Sequence, residues 1–64
     1  MKSYIRQIMH DQKRTLRWLS DSTGLSYQTV FRATKDATIE TLTLATLAKI
    51  AHALRVPLKS LFDE

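Results

Sequence analysis

The 64-residue sequence has no cysteine, one glycine and one proline. Without cysteine there is no disulfide framework and no thiolate metal site, which fits a reducing cytoplasm, the expected compartment. One glycine and one proline leave few places to turn, and strand-like alternation is scarce. No apolar run approaches the length of a membrane span, and no signal-peptide pattern opens the chain, where Met1-Lys2-Ser3 leads directly into an amphipathic segment. A glycine-rich phosphate loop is missing, and no Ser/His/Asp set can be placed in a cleft. His10 and His52 stand far apart, and neither has a partner at metal-ligand spacing. So short a chain also lacks a pocket-sized interior. No catalysis, metal, cofactor or small-molecule ligand is therefore expected. The aromatics Tyr4, Trp18, Tyr27, Phe31 and Phe62 are too sparse for a stacking platform, which argues against single-strand nucleic-acid binding.

What is present fits one compact domain over residues 1–64. The 44% hydrophobic fraction lies in the globular range, so the chain is expected to fold. A domain of this size buries only about 60% of its unfolded surface, so the core is thin. Positive charge is concentrated in one half. Residues 1–35 carry Lys2, Arg6, Lys13, Arg14, Arg17, Arg32 and Lys35 against Asp11 and Asp21, which gives +5. Residues 36–64 carry Lys49, Arg55 and Lys59 against Asp36, Glu40, Asp63 and Glu64, which gives −1. Such asymmetry suits a protein that neutralises phosphates with one face, although a solvated basic surface would show it too.

The apolar spacing is helical and predicts five short helices, an all-α fold. Ile5, Ile8 and Met9 share one face of a first helix from about Ser3 to Lys13. Thr15 resembles an N-cap for a second helix, about Leu16 to Thr23, that buries Leu16, Leu19 and part of Trp18. Gly24 follows where a left-handed residue ends a helix, Leu25 plugs the corner, and Ser26 caps a third helix from about Tyr27 to Thr34. A Thr-rich loop over 34–42 leads to Thr43, the cap of a fourth helix. There Leu44, Leu47, Ile50, Ala51 and Leu54 form the strongest stripe in the chain. Val56-Pro57 breaks it, and Pro57 is placed to start a fifth helix carrying Leu58, Leu61 and Phe62.

Two helices joined through Ser22-Thr23-Gly24-Leu25-Ser26 make a helix-turn-helix, about residues 15–34. Leu19 and Val30 have to meet across the turn, Ser20 has to be small where the second helix passes, and Gly24 allows the reversal. In this arrangement the first helix crosses the DNA backbone and the second enters the major groove. Gln pairs with the adenine N6/N7 edge, Arg with guanine O6/N7, and Tyr combines ring contact to a thymine methyl with a hydroxyl bond.

Residues 15–32, and Gly24, Ser26-Tyr27-Gln28-Thr29-Val30 and Arg32 above all, resemble the helix-turn-helix of the lac repressor family. The stretch from Thr43 through Leu47, Ile50, Ala51 and Leu54 to Leu58 is similar to the end of the Cro/C1-type domain of phage repressors, and Ile5 and Ile8 fall where that family has first-helix apolar residues. Together the two resemblances cover nearly the whole chain. The second implies a lambda-repressor-like fold; the first implies base reading by Tyr27, Gln28 and Arg32. Thr15, Arg17, Ser26, Thr29 and Lys35 are the candidates for phosphate contact, which sets register and carries no sequence information. Lys13 and Arg14 are weaker candidates, because the end of the first helix can point away from DNA.

There are departures. Leu16 stands where the phage-repressor family usually has a Gln that braces DNA contacts, Arg14 occupies a usually apolar position, and Phe31 replaces a small residue. For Phe31 three roles stand open, namely core, contact to a thymine methyl, or partner interface, with core the expectation. A full lac-family protein continues into a hinge helix and a sugar-binding core that 64 residues cannot hold, so no inducer is implied.

Leu58, Leu61 and Phe62 exceed what a short terminal segment needs for its own burial. In the resembled phage-repressor family this region often pairs two subunits. That gives the expectation of a homodimer with recognition helices roughly 34 Å apart on a near-palindromic operator; packing back onto the domain is the alternative. The expected function is a sequence-specific double-stranded DNA-binding regulator, a Cro- or C1-like repressor in a bacterial or phage-infected cell. The alternative is an antitoxin-type protein-binding module of the same fold.

Overall fold

Three of the helices start at hydroxyl residues. In the computed structural model, which describes residues 1–63, Thr15, Ser26 and Thr43 lie in extended backbone and accept from the N–H of Trp18, Thr29 and Thr46, at 3.1, 3.2 and 3.2 Å. Each bond satisfies an amide that the first helical turn leaves without a partner, worth about 1 kcal/mol. The helices are α1 (Ile5–Asp11), α2 (Leu16–Thr23), α3 (Tyr27–Ala33) and α4 (Leu44–Leu54).

Left-handed residues end three of them. Lys13 at φ 57° closes the turn after α1, Gly24 at φ 75° ends α2, and Arg55 at φ 58° ends α4. At Arg55 the N–H bonds to His52 O and the Val56 N–H to Ala51 O, a Schellman motif, so α4 is already finished one residue before Val56-Pro57. Gln12 adds a side-chain cap, its Nε2 donating to Leu54 O at 2.8 Å. A Cβ at Gly24 would meet nothing within 4 Å, so only its backbone conformation resists substitution. Gly24→Ala should therefore destabilise by about 1 kcal/mol, a left-handed Cβ penalty of roughly 1–2 kcal/mol eased by the stiffer unfolded chain. Urea unfolding measures it; an unchanged midpoint would contradict the backbone argument.

The core is a single cluster. It joins Ile5 and Met9 of α1, Leu19 of α2, Val30 and Ala33 of α3, and Leu47, Ile50, Ala51 and Leu54 of α4 with Ile39 and Leu61. Leu16, Trp18 and Leu25 pack against it half-buried. α2 lies between α3 and α4, and the described chain measures 26 × 22 × 17 Å.

The structure differs from the five-helix expectation. There are four α-helices among the described residues, and the segment after Pro57 is a 3-10 turn at Leu58–Ser60 followed by a strand. That strand, β2 (Phe62–Asp63), pairs antiparallel with β1 (Lys2–Ser3), Lys2 opposite Asp63 and Ser3 opposite Phe62. Pro57, with an extended ψ of 146°, caps that turn, its carbonyl accepting from the Ser60 N–H at 2.9 Å, instead of opening a helix. Leu61 is pulled completely into the core, and Tyr4 N–H donates to its carbonyl at 2.8 Å, which draws the two chain ends together. The ribbon also takes Ser3 out of the expected first helix, which starts at Ile5.

Two apolar residues change places relative to the sequence reading. Leu44, taken as part of the fourth-helix stripe, is 65% exposed, whereas Ile39, in the supposed loop, is fully buried within a 3-10 turn at Ile39–Thr41. No helix among the described residues is long and apolar enough to cross a membrane.

Candidate nucleic-acid interface

The corner between α2 and α3 is tied by side chains. Ser20 Oγ donates to Leu25 O at 2.6 Å. The Thr23 hydroxyl donates to Leu19 O at 2.7 Å and accepts from the Leu25 N–H at 3.2 Å. Beneath it Leu19 and Val30 are both fully buried, so the angle between the helices is set by packing as well as by the turn.

The far end of α3 is held by residues the sequence reading did not single out. Ser3 Oγ donates to Ala33 O at 2.6 Å, and Ser3 N–H donates to Asp36 Oδ1 at 2.8 Å, so the terminal ribbon is fastened to the end of this helix. Thr38 Oγ1 donates to Arg32 O, Arg32 Nη2 donates to Thr41 Oγ1, and Thr41 Oγ1 donates to Thr38 O, each at 2.6 Å. The only signal in the sequence was the density of Thr in this segment, without a period to say what it bonds. A seven-residue helix is thus fixed at both ends, which is what a presenting surface requires.

Steps of about 100° per residue place Tyr27, Gln28, Phe31 and Arg32 within about 140° of arc on α3. All four are exposed, whereas Val30 and Ala33 face the core and Thr29 is half-buried. The three expected base readers therefore share one outward edge. Tyr27 is 55% exposed, and no hydrogen bond ties the Tyr27 or Gln28 side chain to the described residues. Arg32 differs, since one of its five N–H donors is engaged by Thr41. Phe31 corrects the core expectation: it is 44% exposed on the same edge, with Lys35 Nζ 5.1 Å from its ring centroid.

Among the candidates for phosphate contact, Lys35 stands beside Phe31 of that edge. Thr15 and Arg17 stand exposed at the start of α2. Ser26 and Thr29 share a hydroxyl–hydroxyl bond of 2.8 Å in addition to the Ser26 cap. Arg14, at a position expected to be apolar, lays its guanidinium 4.3 Å from the Trp18 ring centroid and so covers a half-buried aromatic face. No Lys or Arg is within ion-pair distance of a carboxylate among the described residues; the one close pair is His10 with Asp11 at 3.9 Å. The cations are thus available to an external anion.

The residues expected at a dimer contact are divided by the fold. Leu61 is fully buried in its own domain, and Leu58 and Phe62 are half-buried against the core. Packing back onto the domain accounts for Leu61.

A braced helix carrying amide, guanidinium and aromatic groups outward, on a domain with cations exposed, has the chemistry of base-edge contact and phosphate neutralisation. No curated protein and no solved structure matches the chain. A family model does match, over residues 4–63, which takes in all four helices and the strand-paired terminal segment; the chain belongs to the Cro/C1-type HTH DNA-binding domains, where HTH stands for helix-turn-helix.

Proposed function

We propose that this DNA-binding domain is a sequence-specific transcription regulator of the repressor type that lays α3 in the major groove of double-stranded DNA. The exposed edge of α3 carries the assignment. Tyr27, Gln28 and Arg32 read base edges, as the likeness of Gly24–Arg32 to the lac repressor family implies. Thr15, Arg17, Ser26, Thr29 and Lys35 contact the backbone. The place of action is the nucleoid of a bacterial or phage-infected cell, and two copies bind a near-palindromic operator with recognition helices about 34 Å apart. Leu58 and Phe62 keep partial exposure for a two-fold contact, and Leu61 does not.

Selection of bound duplexes from a random pool is the test. Enrichment of a short inverted repeat is expected; a single half-site would remove the dimer, and no enrichment at all would remove sequence-specific binding. One feature favours a second reading, the antitoxin-type module. A shallow groove between α2 and α4 is lined by Trp18, Ala48 and Ala53 together with Ser22, Thr23, Lys49, His52 and Arg55. Under that reading a small protein co-purifies with the chain and occupies this groove.

A further inference from the structure

Phe31 is unexplained by the domain's own stability. The core closes without it, and its neighbours Val30 and Ala33 are the residues of α3 that face inward. A phenylalanine left 44% exposed keeps a large apolar surface in water, in the middle of the edge that carries Gln28 and Arg32. Tyr27, at 55% exposure, lies about 40° away round the helix, so the two rings border Gln28 on one side. Lys35 sets its ammonium 5.1 Å from the Phe31 ring centroid. An apolar ring and a cation are thereby offered side by side.

Duplex DNA offers the matching pair of features in one place. The C5 methyl of a pyrimidine is the apolar group displayed in the major groove, and it lies toward the backbone of its own strand, next to a phosphate. We propose that Phe31 is a specificity-determining residue that recognises the C5 methyl of a pyrimidine, thymine or 5-methylcytosine, while Lys35 neutralises the adjoining phosphate. The assignment rests on major-groove reading by α3 and adds a methyl contact to the hydrogen-bonding readers. It also separates Phe31 from Arg32 in kind. Arg32 distinguishes bases by donors, whereas Phe31 distinguishes them by a group that cytosine and uracil lack.

The test uses the whole chain and a duplex enriched from the random pool. Each thymine is replaced in turn by uracil, which deletes only the methyl, and each cytosine by 5-methylcytosine, which adds it. With the unaltered protein, one thymine-to-uracil exchange should weaken binding about four-fold, the worth of one desolvated methyl. If the natural contact is to methylated cytosine, one 5-methylcytosine exchange should strengthen binding by a similar factor. Phe31→Ala should bind more weakly overall and lose the response at the position Phe31 contacts, and Phe31→Leu should keep part of that response. Circular dichroism and thermal melting should be nearly unchanged for both variants, because Phe31 lies outside the core. Indifference of the unaltered protein to every methyl exchange would overturn the proposal, as would an equal response in Phe31→Ala. A pool that yields no bound duplex would instead overturn groove reading itself, and the methyl contact with it.

Discussion

Ile39→Ala should leave much of the domain unfolded at room temperature, whereas Leu44→Ala should change stability by less than about 0.5 kcal/mol. Truncating a fully buried isoleucine removes its transfer free energy and leaves a cavity, together about 2–5 kcal/mol. Ile39 is fully buried in the core cluster, and its N–H donates to Lys35 O at 2.9 Å, just past the end of α3. A core of this size supplies only about 3–5 kcal/mol of net stability, so the loss approaches the whole. Ile39→Val, which deletes one methylene, should cost about 0.5–1.5 kcal/mol and stay folded, giving a measurable point on the same scale. Leu44, at 65% exposure, has little burial to lose. Urea unfolding of the three variants measures the order, and a Leu44→Ala loss equal to that of Ile39→Ala would contradict the packing described above.

That pair of residues also shows where sequence reasoning ends. Periodicity finds a helix and its inward face, and it found α4 from its cap at Thr43 to Leu54. It cannot find the edge of a core. Leu44 continues the spacing of the stripe but is the first residue of α4 and is left exposed. Ile39 is a lone apolar residue between Thr38 and Glu40, with no period to mark it, and its burial depends on how the 3-10 turn folds over the end of α3.

Four local signals were legible. Thr15, Ser26 and Thr43 act through an amide three residues away, and Gly24 acts through its own φ. The terminal ribbon is the opposite case. Lys2 pairs with Asp63 across almost the whole chain, and strands of two residues have no alternation to detect. Apolar spacing at Leu58, Leu61 and Phe62 then imitates a helix, although the burial of Leu61 comes from a turn.

Phe31 lies between these cases. Its helical phase beside Tyr27 and Gln28 places it outward, whereas the general tendency of phenylalanine is to be buried. The structure resolves the conflict in favour of phase. On a helix presented to a ligand, the angle of a residue is thus a better guide to its task than its hydrophobicity.

Gln28→Ala should lower affinity for the enriched operator by about 1–3 kcal/mol and relax preference at one base pair. The Gln28 amide is exposed and untied, so its donor and acceptor are both free for the adenine N6/N7 edge, and truncation leaves those base groups without a partner. Arg17→Ala should act differently. It removes a positive charge at the start of α2, so binding to all sequences weakens alike and the slope of log affinity against log salt falls by roughly one. Arg32→Ala combines two effects, because its guanidinium also bonds Thr41 Oγ1 in the network that holds the end of α3. Thr41→Val removes that bond and keeps the arginine, so a change in base preference seen in Arg32→Ala but not in Thr41→Val belongs to DNA contact. Titrations of operator and mismatched duplexes at several salt concentrations provide all of these comparisons. If Gln28→Ala and Arg17→Ala lowered affinity uniformly and flattened the salt slope to the same degree, the outward edge of α3 would be a backbone contact and base reading would lie elsewhere on the domain.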